Sequence, residues 1–240
     1  MDNVLSHEEM KSYIVDTCRP YTIVYKPHLY RLVDLIFEIN KAKIEGSIVE
    51  CGVFKGGCMM IMAISQLIFD SDRDLYLYDT FEGMTAPSEK DGEFRINNYK
   101  KIMAGELKFD YDNHHNEQKW VYCDIDIVKK NMQITKYPDK KVHYVKGDVV
   151  KTLHDNVPDK IAFLRLDTDF YESTKKELDV LYPKLEVGGI MIVDDYFSYK
   201  GSRLATDEFL ETHRDNLEVL YQDTLEEEGF YARAIFRKIK

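Results

Sequence analysis

The segment from Ile161 to Tyr196 constrains the fold of this chain more than any other part of it. Its pattern predicts a buried strand, an amphipathic helix and a second buried strand, with Gly188 and Gly189 after the helix. Two strands joined by a helix of this length almost always pair in parallel with a right-handed crossover. The carboxyl ends of both strands therefore lie at one edge of the sheet, where open α/β folds bind ligands.

Acidic residues follow both of these strands. The first strand runs into Asp167 and Asp169, and the second runs into Asp194 and Asp195. An Asp after a strand is often only a helix cap or a turn residue. Several carboxylates in one crevice repel each other unless a cation lies among them, and oxygen ligands favour Mg²⁺. We therefore predict a shared metal or polar site that includes Asp167, Asp194 and Asp195.

The order of elements predicts a single α/β domain over residues 1–240, built on a doubly wound, mostly parallel seven-stranded sheet with an antiparallel last strand. Residues 1–46 are predicted to form N-terminal helices. Residues 84–123 are too long for an idle loop and too rich in aromatic residues for a disordered segment, so we predict a lid insertion. Such a scaffold suits a nucleotide ligand but does not by itself define a function.

Charge and composition exclude several classes of partner. The net charge is −10 and no basic block interrupts it, which argues against nucleic acid and anionic membranes. The four cysteines lack the spacing of a zinc site. No apolar run approaches the roughly 20 residues of a membrane span, and no signal peptide is evident, so we expect a cytoplasmic protein. A homodimer is the commonest arrangement among soluble oligomers.

The first strand–helix turn, residues 50–57, contains glycines that let the backbone approach a ligand. It matches neither the dinucleotide fingerprint nor the phosphate-binding loop. Asp79, at the end of the second strand, is placed to bind a ribose. Glu50 would repel pyrophosphate but suits an amino group or a sulfonium, which favours S-adenosylmethionine over NAD. Asp148 is placed near an adenine, although each of these acids has a capping alternative, and Gly52 has a packing alternative.

At these residues the sequence resembles the macrocin O-methyltransferase family, Mg²⁺-dependent class I methyltransferases of natural-product sugars. The resemblance rests on four motifs, at residues 49–57, 79–83, 166–174 and 182–196. It departs from the family at Phe54 and Lys55, where a Trp-Arg pair is common, and in the longer segment before Cys123. The acceptor is therefore left open between a sugar and another polyol-like small molecule.

The resemblance implies roles for particular residues. Those implied to bind S-adenosylmethionine are Glu50, Gly52 and Asp79, and we also predict Gly56, Thr80 and Asp148 as cofactor-binding residues. Those implied to hold Mg²⁺ are Asp167, Asp194 and Asp195, and Asp169 is the candidate general base. Capping of the following helix is an equally weighted role for Asp169. The alternatives are an NAD-dependent oxidoreductase or epimerase, an N- or carboxyl-methyltransferase, and a binding protein without catalysis.

Overall fold

The computed structural model describes residues 6–108, 119–154, 156–222 and 233–240. Its strands are β1 (Ser47–Cys51), β2 (Leu75–Asp79), β3 (Val142–Lys146), β4 (Ile161–Leu166), β5 (Leu185–Val193), β6 (Leu217–Gln222) and β7 (Ala234–Lys238). They form one sheet in the order β3-β2-β1-β4-β5-β7-β6. β7 is antiparallel to β5 and β6, and the other neighbours pair in parallel. This confirms the predicted doubly wound sheet with its antiparallel last strand.

Helices cover both faces of the sheet. They are α1 (His7–Cys18), α2 (Lys26–Lys41), α3 (Gly57–Ile68), α4 (Glu93–Met103), α5 (Ile125–Ile134), α6 (Val149–Thr152), α7 (Tyr171–Leu181) and α8 (Lys200–His213). Side chains of α1, α2, α3 and α5 share one hydrophobic cluster with the sheet. Side chains of α6, α7 and α8 share a second cluster on the opposite face. The protein is thus a three-layer α/β/α structure.

The central strand β4 shows how the sequence produces this layering. Each of its six residues is buried, as a strand covered on both faces requires. Alternate side chains point to opposite faces, so Phe163 lies in the first cluster and Leu164 in the second. β1 and β4 are neighbours, and the chain extends from them in opposite directions. The ends of these two strands therefore form the crevice in which this scaffold binds ligands.

Some element boundaries differ from the sequence prediction. β5 begins at Leu185 rather than Ile190, because its first half contains the exposed Val187 and a glycine with φ +85°, and so lacks a continuous apolar run. The sequence predicts a helix over residues 205–212, and α8 begins five residues before it. The sequence also predicts a hairpin at 223–229, which lies outside the described residues, and β7 begins at Ala234.

The predicted insertion, 84–123, contains a short 3-10 turn (Glu89–Asp91) and α4, and its residues 109–118 lie outside the description. Ile102 and Trp120 of this segment pack against Phe170 in a small cluster of their own. The insertion is therefore docked on the loop between β4 and α7. Its role as a lid stays a prediction.

No helix within the described residues combines the length and the apolar character that a membrane span needs.

Candidate active site

A buried arginine joins the ends of three strands. Arg165 on β4 lies beside Glu50 on β1 in the sheet register, and both side chains are fully buried. The Nη1 of Arg165 donates to Oε1 of Glu50 at 2.6 Å. Its Nη2 lies 2.7 Å from Oδ2 of Asp167 and 3.0 Å from Oδ2 of Asp194 on the end of β5. One guanidinium thus compensates carboxylates from β1, β4 and β5.

Glu50 is therefore placed differently from the sequence prediction. Its side chain points to the helix face that also holds Ile48, and its described partner is Arg165. Burial raises the pKa of Glu50 to about 7, against the opposing influence of Arg165. The geometry does not bring this carboxylate to the cavity, so a direct contact with a cofactor is not supported by its position.

Asp194 is also paired with arginines. Besides Arg165, the Nη2 of Arg233 lies 3.1 Å from Oδ1 of Asp194. Burial alone would raise the pKa of Asp194, but the two guanidiniums outweigh it and hold that pKa below its usual value. In this arrangement Asp194 is an ionised carboxylate with two cationic partners.

A second group of carboxylates lies on the other side of Asp167. One oxygen each of Asp167, Asp169 and Asp195 lies within 4.8 Å of the other two. Burial raises the pKa of Asp169 to about 7, opposed by a hydrogen bond with Asp195. Burial, and then the neighbouring Asp169, raise the pKa of Asp195 well above its usual value. Burial is thus the main cause of both shifts, and neighbouring carboxylates add to it.

This second group fits a hard cation. Asp195 is 9% exposed, and its Oδ2 is buried with no hydrogen-bond partner among the described residues. Unsatisfied buried carboxylate oxygens are costly unless an ion or a water completes them. All the donors are oxygens, which is the ligand chemistry of Mg²⁺. The sequence analysis grouped Asp194 with Asp167 and Asp195. In the structure Asp169 is the third member of the group with Asp167 and Asp195, and Asp194 pairs with Arg165 and Arg233.

Asp169 lies at the centre of a strained turn. The N–H of Phe170 donates to the carbonyl of Thr168 at 2.7 Å, and Asp169 between them has φ +66°. An i to i+2 hydrogen bond around such a residue is the pattern of a classic γ-turn, which is rare. Strain of this kind is on the order of 1–3 kcal/mol and concentrates at functional sites.

The capping alternative for Asp169 is not what the structure shows. The residue at the N-cap of α7 is Phe170, which makes no side-chain cap. The N–H of Tyr171 instead donates to Oδ1 of Asp91, at 2.8 Å. The insertion therefore supplies the cap, and Asp169 is left facing Asp195.

The turn after β1 is fixed by close backbone contact. Gly52 has φ +80°, and a Cβ there would lie 1.9 Å from the carbonyl oxygen of Asp167. Oδ2 of Asp79 accepts the N–H groups of Val53 and Phe54, at 2.7 and 3.1 Å. Asp79 thus ties the end of β2 to this turn, and it also lines the cavity beside Gly52. Burial raises the pKa of Asp79, opposed by these backbone N–H groups.

The remaining predicted cofactor residues lie around the same turn. Thr80 lines the cavity, and its hydroxyl donates to the carbonyl of Gly83. Asp148 also lines the cavity, and it caps α6 by accepting the N–H of Val150 at 3.0 Å. Gly56 is the N-cap of α3 with φ +88° and packs towards Val128. Its role in the described structure is therefore to turn the chain into α3.

One cavity of about 650 Å³ joins both halves of the site. This volume lies within the roughly 300–1,000 Å³ typical of small-molecule sites. The Gly52 turn and Asp79 line one part, and the carboxylates of β4 and β5 line another. A third part of the wall is contributed by the insertion and by two loops, through Ile23, Tyr25, Phe94, Arg95 and Tyr199.

The sequence prediction missed the charged residues that organise this site. Arg165 stands two positions before Asp167, and Arg233 immediately precedes β7, but no local pattern indicates that they meet at Asp194. Arg95 stacks on the ring of Tyr199, with its Cζ 3.8 Å from the ring centroid. The one available signal for Arg165 was a charged residue inside an otherwise apolar strand, because such a residue needs a buried partner.

The sheet order, the glycine turn after β1 and the acids at the ends of β2, β4 and β5 define a class I methyltransferase. A model of the macrocin O-methyltransferase (TylF) family matches residues 16–225. The chain therefore belongs to that family. Hydride transfer, the leading alternative from the sequence, is not the chemistry of this family.

Named relatives agree with this assignment. Demethyldecarbamoylnovobiocin O-methyltransferase of Streptomyces niveus is 30% identical over 190 residues, 79% of this chain and 67% of that protein. The 8-demethyl-8-(2,3-dimethoxy-alpha-L-rhamnosyl)-tetracenomycin-C 4'-O-methyltransferase of Streptomyces olivaceus is 32% identical over 158 residues, 64% of this chain and 54% of that relative. The solved structure of the O-methyltransferase NovP superposes with a TM-score of 0.70 at 25% identity, covering 92% of this chain and 83% of that one.

Proposed function

We propose that this protein transfers the methyl group of S-adenosylmethionine to a hydroxyl oxygen of a sugar or a glycosylated small molecule, with Mg²⁺ bound beside the acceptor. The observation that carries the proposal is the meeting of Asp167, Asp169 and Asp195 in the cavity that also contains the Gly52 turn. Acidic strand ends and a nucleoside-type turn are thereby placed in one crevice.

We place the cofactor over the turn that follows β1. Gly52 lines the cavity, and its lack of a side chain lets this turn pack against the backbone of Asp167. Asp79, Thr80 and Asp148 line this part of the cavity, so they are the polar groups available to a ribose and a base. In this proposal Glu50 does not touch the cofactor. It acts through its ion pair with Arg165.

We assign the metal to Asp167 and Asp195. These two residues belong both to the set expected from the sequence and to the group that the structure brings together. The unpartnered Oδ2 of Asp195 supports the assignment. When bound, Mg²⁺ would supply Lewis acidity that lowers the pKa of an acceptor hydroxyl.

Asp169 is the proposed general base. It lines the cavity and does not cap α7, so its carboxylate is placed to accept a proton from an acceptor hydroxyl. The proton passes from the acceptor hydroxyl to the Asp169 carboxylate while the oxygen attacks the methyl carbon. The carbon–sulfur bond breaks, and its electron pair stays on sulfur as a neutral thioether. Such an in-line displacement depends on holding three atoms nearly collinear, so positioning by the cavity is a large part of the rate.

The acceptor is proposed to lie against the wall formed by the insertion and the N-terminal loop. Tyr25, Phe94 and Tyr199 give this wall apolar and aromatic surface, and Arg95 adds a cation. Aromatic rings beside a few polar groups suit a sugar ring with an apolar substituent. The relative from Streptomyces olivaceus is named as the methyltransferase of a rhamnosyl tetracenomycin, which is consistent with this class.

A methyl-transfer assay with a matched variant tests the proposal. Wild-type protein with labelled S-adenosylmethionine, MgCl₂ and a panel of rhamnosides and other glycosides is expected to methylate at least one of them. Asp169→Asn should reduce that rate by about 10²–10⁴-fold, the usual contribution of a general base. Its affinity for S-adenosylhomocysteine should be unchanged. Full activity of Asp169→Asn would remove the residue from the base role, and failure of the wild type to bind S-adenosylhomocysteine would contradict the proposal itself.

A further inference from the structure

The insertion reaches the Asp169 turn through one buried carboxylate. Asp91 is only 4% exposed. Its Oδ2 accepts the N–H and the hydroxyl of Ser88 at 2.7 and 2.9 Å, and its Oδ1 accepts the N–H of Tyr171 at 2.8 Å. The Tyr171 contact joins residues that are 80 positions apart. Asp91 is thus a fixed link between the insertion and the second residue after Asp169.

A glycine on α8 leaves the space that this link needs. A Cβ added at Gly201 would lie 1.7 Å from Oδ1 of Asp91 and 2.7 Å from the Tyr171 nitrogen. No positive φ is involved at this glycine, so lack of space rather than backbone conformation forbids a side chain there. The insertion, the start of α7 and the start of α8 therefore meet at the hydrogen bond between Asp91 and the Tyr171 N–H.

Two further contacts join the insertion to the residues that follow Asp169. The ring of Phe170 meets that of Trp120 at a centroid distance of 6.1 Å. The Nζ of Lys90 lies 3.5 Å from the centroid of the Tyr171 ring. Both residues that follow Asp169 are consequently packed against the insertion. Since Asp169 itself is held in a strained turn, its direction depends on what holds these two residues.

We propose that Asp91 is a positioning residue for Asp169: by fixing the Tyr171 N–H, it holds the γ-turn that directs the Asp169 carboxylate towards Asp167 and Asp195. This inference rests on the proposed function, which gives that carboxylate group its role. It makes the insertion a structural part of the acidic cluster as well as a wall of the cavity.

Two variants break the link from opposite sides. Asp91→Ala removes the acceptors of both Ser88 and the Tyr171 N–H, and Gly201→Ala pushes a methyl group into the contact while Asp91 stays in place. Glu89→Gln is the matched control, because Glu89 is exposed in the same turn. We expect Mn²⁺, measured by calorimetry, to bind about 10–100-fold more weakly to both variants, as is typical when the residues that orient metal ligands are lost. The affinity for S-adenosylhomocysteine and all properties of Glu89→Gln should be unchanged.

A loss of Mn²⁺ affinity without a loss of S-adenosylhomocysteine affinity distinguishes a positioning role of Asp91 from a general contribution to stability. Equal loss of Mn²⁺ and S-adenosylhomocysteine affinity, or no loss of either, would overturn the inference. If the wild type itself binds no Mn²⁺, the proposed metal site fails separately. Hydrogen exchange then still tests the link, since both variants should exchange faster than the wild type over residues 168–173 and not in β1. Unchanged protection there would contradict the role of Asp91.

Discussion

Two clusters of carboxylates lie side by side at the strand ends, and they differ in whether a cation of the protein compensates them. Glu50 and Asp194 are matched by Arg165 and Arg233; the pKa of Asp194 is lowered as a result, while burial raises the pKa of Glu50 to about 7 against the influence of Arg165. Asp169 and Asp195 contact each other instead, and both of their pKa values are raised. Asp167 lies between the clusters and touches the arginine of the first.

The difference indicates which carboxylates stabilise the fold and which are available to a ligand. A carboxylate with a buried arginine partner has its charge compensated within the fold, and removal of either partner leaves an uncompensated charge. A carboxylate pair without a cation is incomplete, and it can be completed by a proton or by a metal ion. We therefore expect the first cluster to govern stability and the second to govern ligand binding and catalysis.

The largest expected effect is on catalysis from the second cluster. Asp195→Asn should lower the rate of methyl transfer by about 10³-fold, since a metal supplies several kcal/mol of transition-state stabilisation. Its melting temperature should be equal to or above that of the wild type, because an Asn amide can donate to the Asp169 carboxylate and carries no charge that burial disfavours. Rates with and without EDTA provide the measurement. A variant that retains the wild-type rate in MgCl₂ would place the metal elsewhere.

The first cluster should respond in stability. Arg165→Met is expected to lower the free energy of unfolding by about 3–5 kcal/mol, because Glu50 would remain buried without its partner and Asp194 would keep only Arg233. Arg237→Met is the control, since Arg237 pairs with the half-exposed Glu38 and Glu218 and should change stability by about 1 kcal/mol at most. Urea unfolding of the two variants measures the contrast. Equal effects would contradict the division between the clusters.

A smaller effect is expected from pH. The pKa of Asp169 is about 7 in the folded protein, above the value of about 4 in an unfolded chain. Protonation therefore stabilises the metal-free fold below about pH 4, and this contribution is lost as the pH rises towards 7. The wild type should thus lose unfolding free energy relative to Asp169→Asn over that window. Urea titrations at several pH values in EDTA would show it, and a wild type that gains unfolding free energy relative to Asp169→Asn between about pH 4 and pH 7 would contradict it.

The sequence was sufficient to predict the meeting of the acids at the end of β4 and β5, because a strand–helix–strand unit fixes the direction of both strands. It was not sufficient to assign their partners. Which carboxylate Arg165 meets depends on the register of β1 against β4, and the arginine from β7 approaches only after the sheet has closed.

The contact of Asp91 with the Tyr171 N–H could also not be predicted from the sequence. It depends on how an insertion without a clear period packs on α7 and α8, and no local pattern encodes that docking. The role of Asp169 was left between a cap and a base for this reason. Once another residue is seen to cap the helix, the two alternatives are no longer equivalent.

The most direct test of the central claim is anomalous diffraction from crystals of the protein with S-adenosylhomocysteine and Mn²⁺. We expect an anomalous peak within bonding distance of Asp167 and Asp195, beside the S-adenosylhomocysteine bound at Gly52. Crystals that contain the bound nucleoside but no peak between these carboxylates, at saturating Mn²⁺, would contradict it.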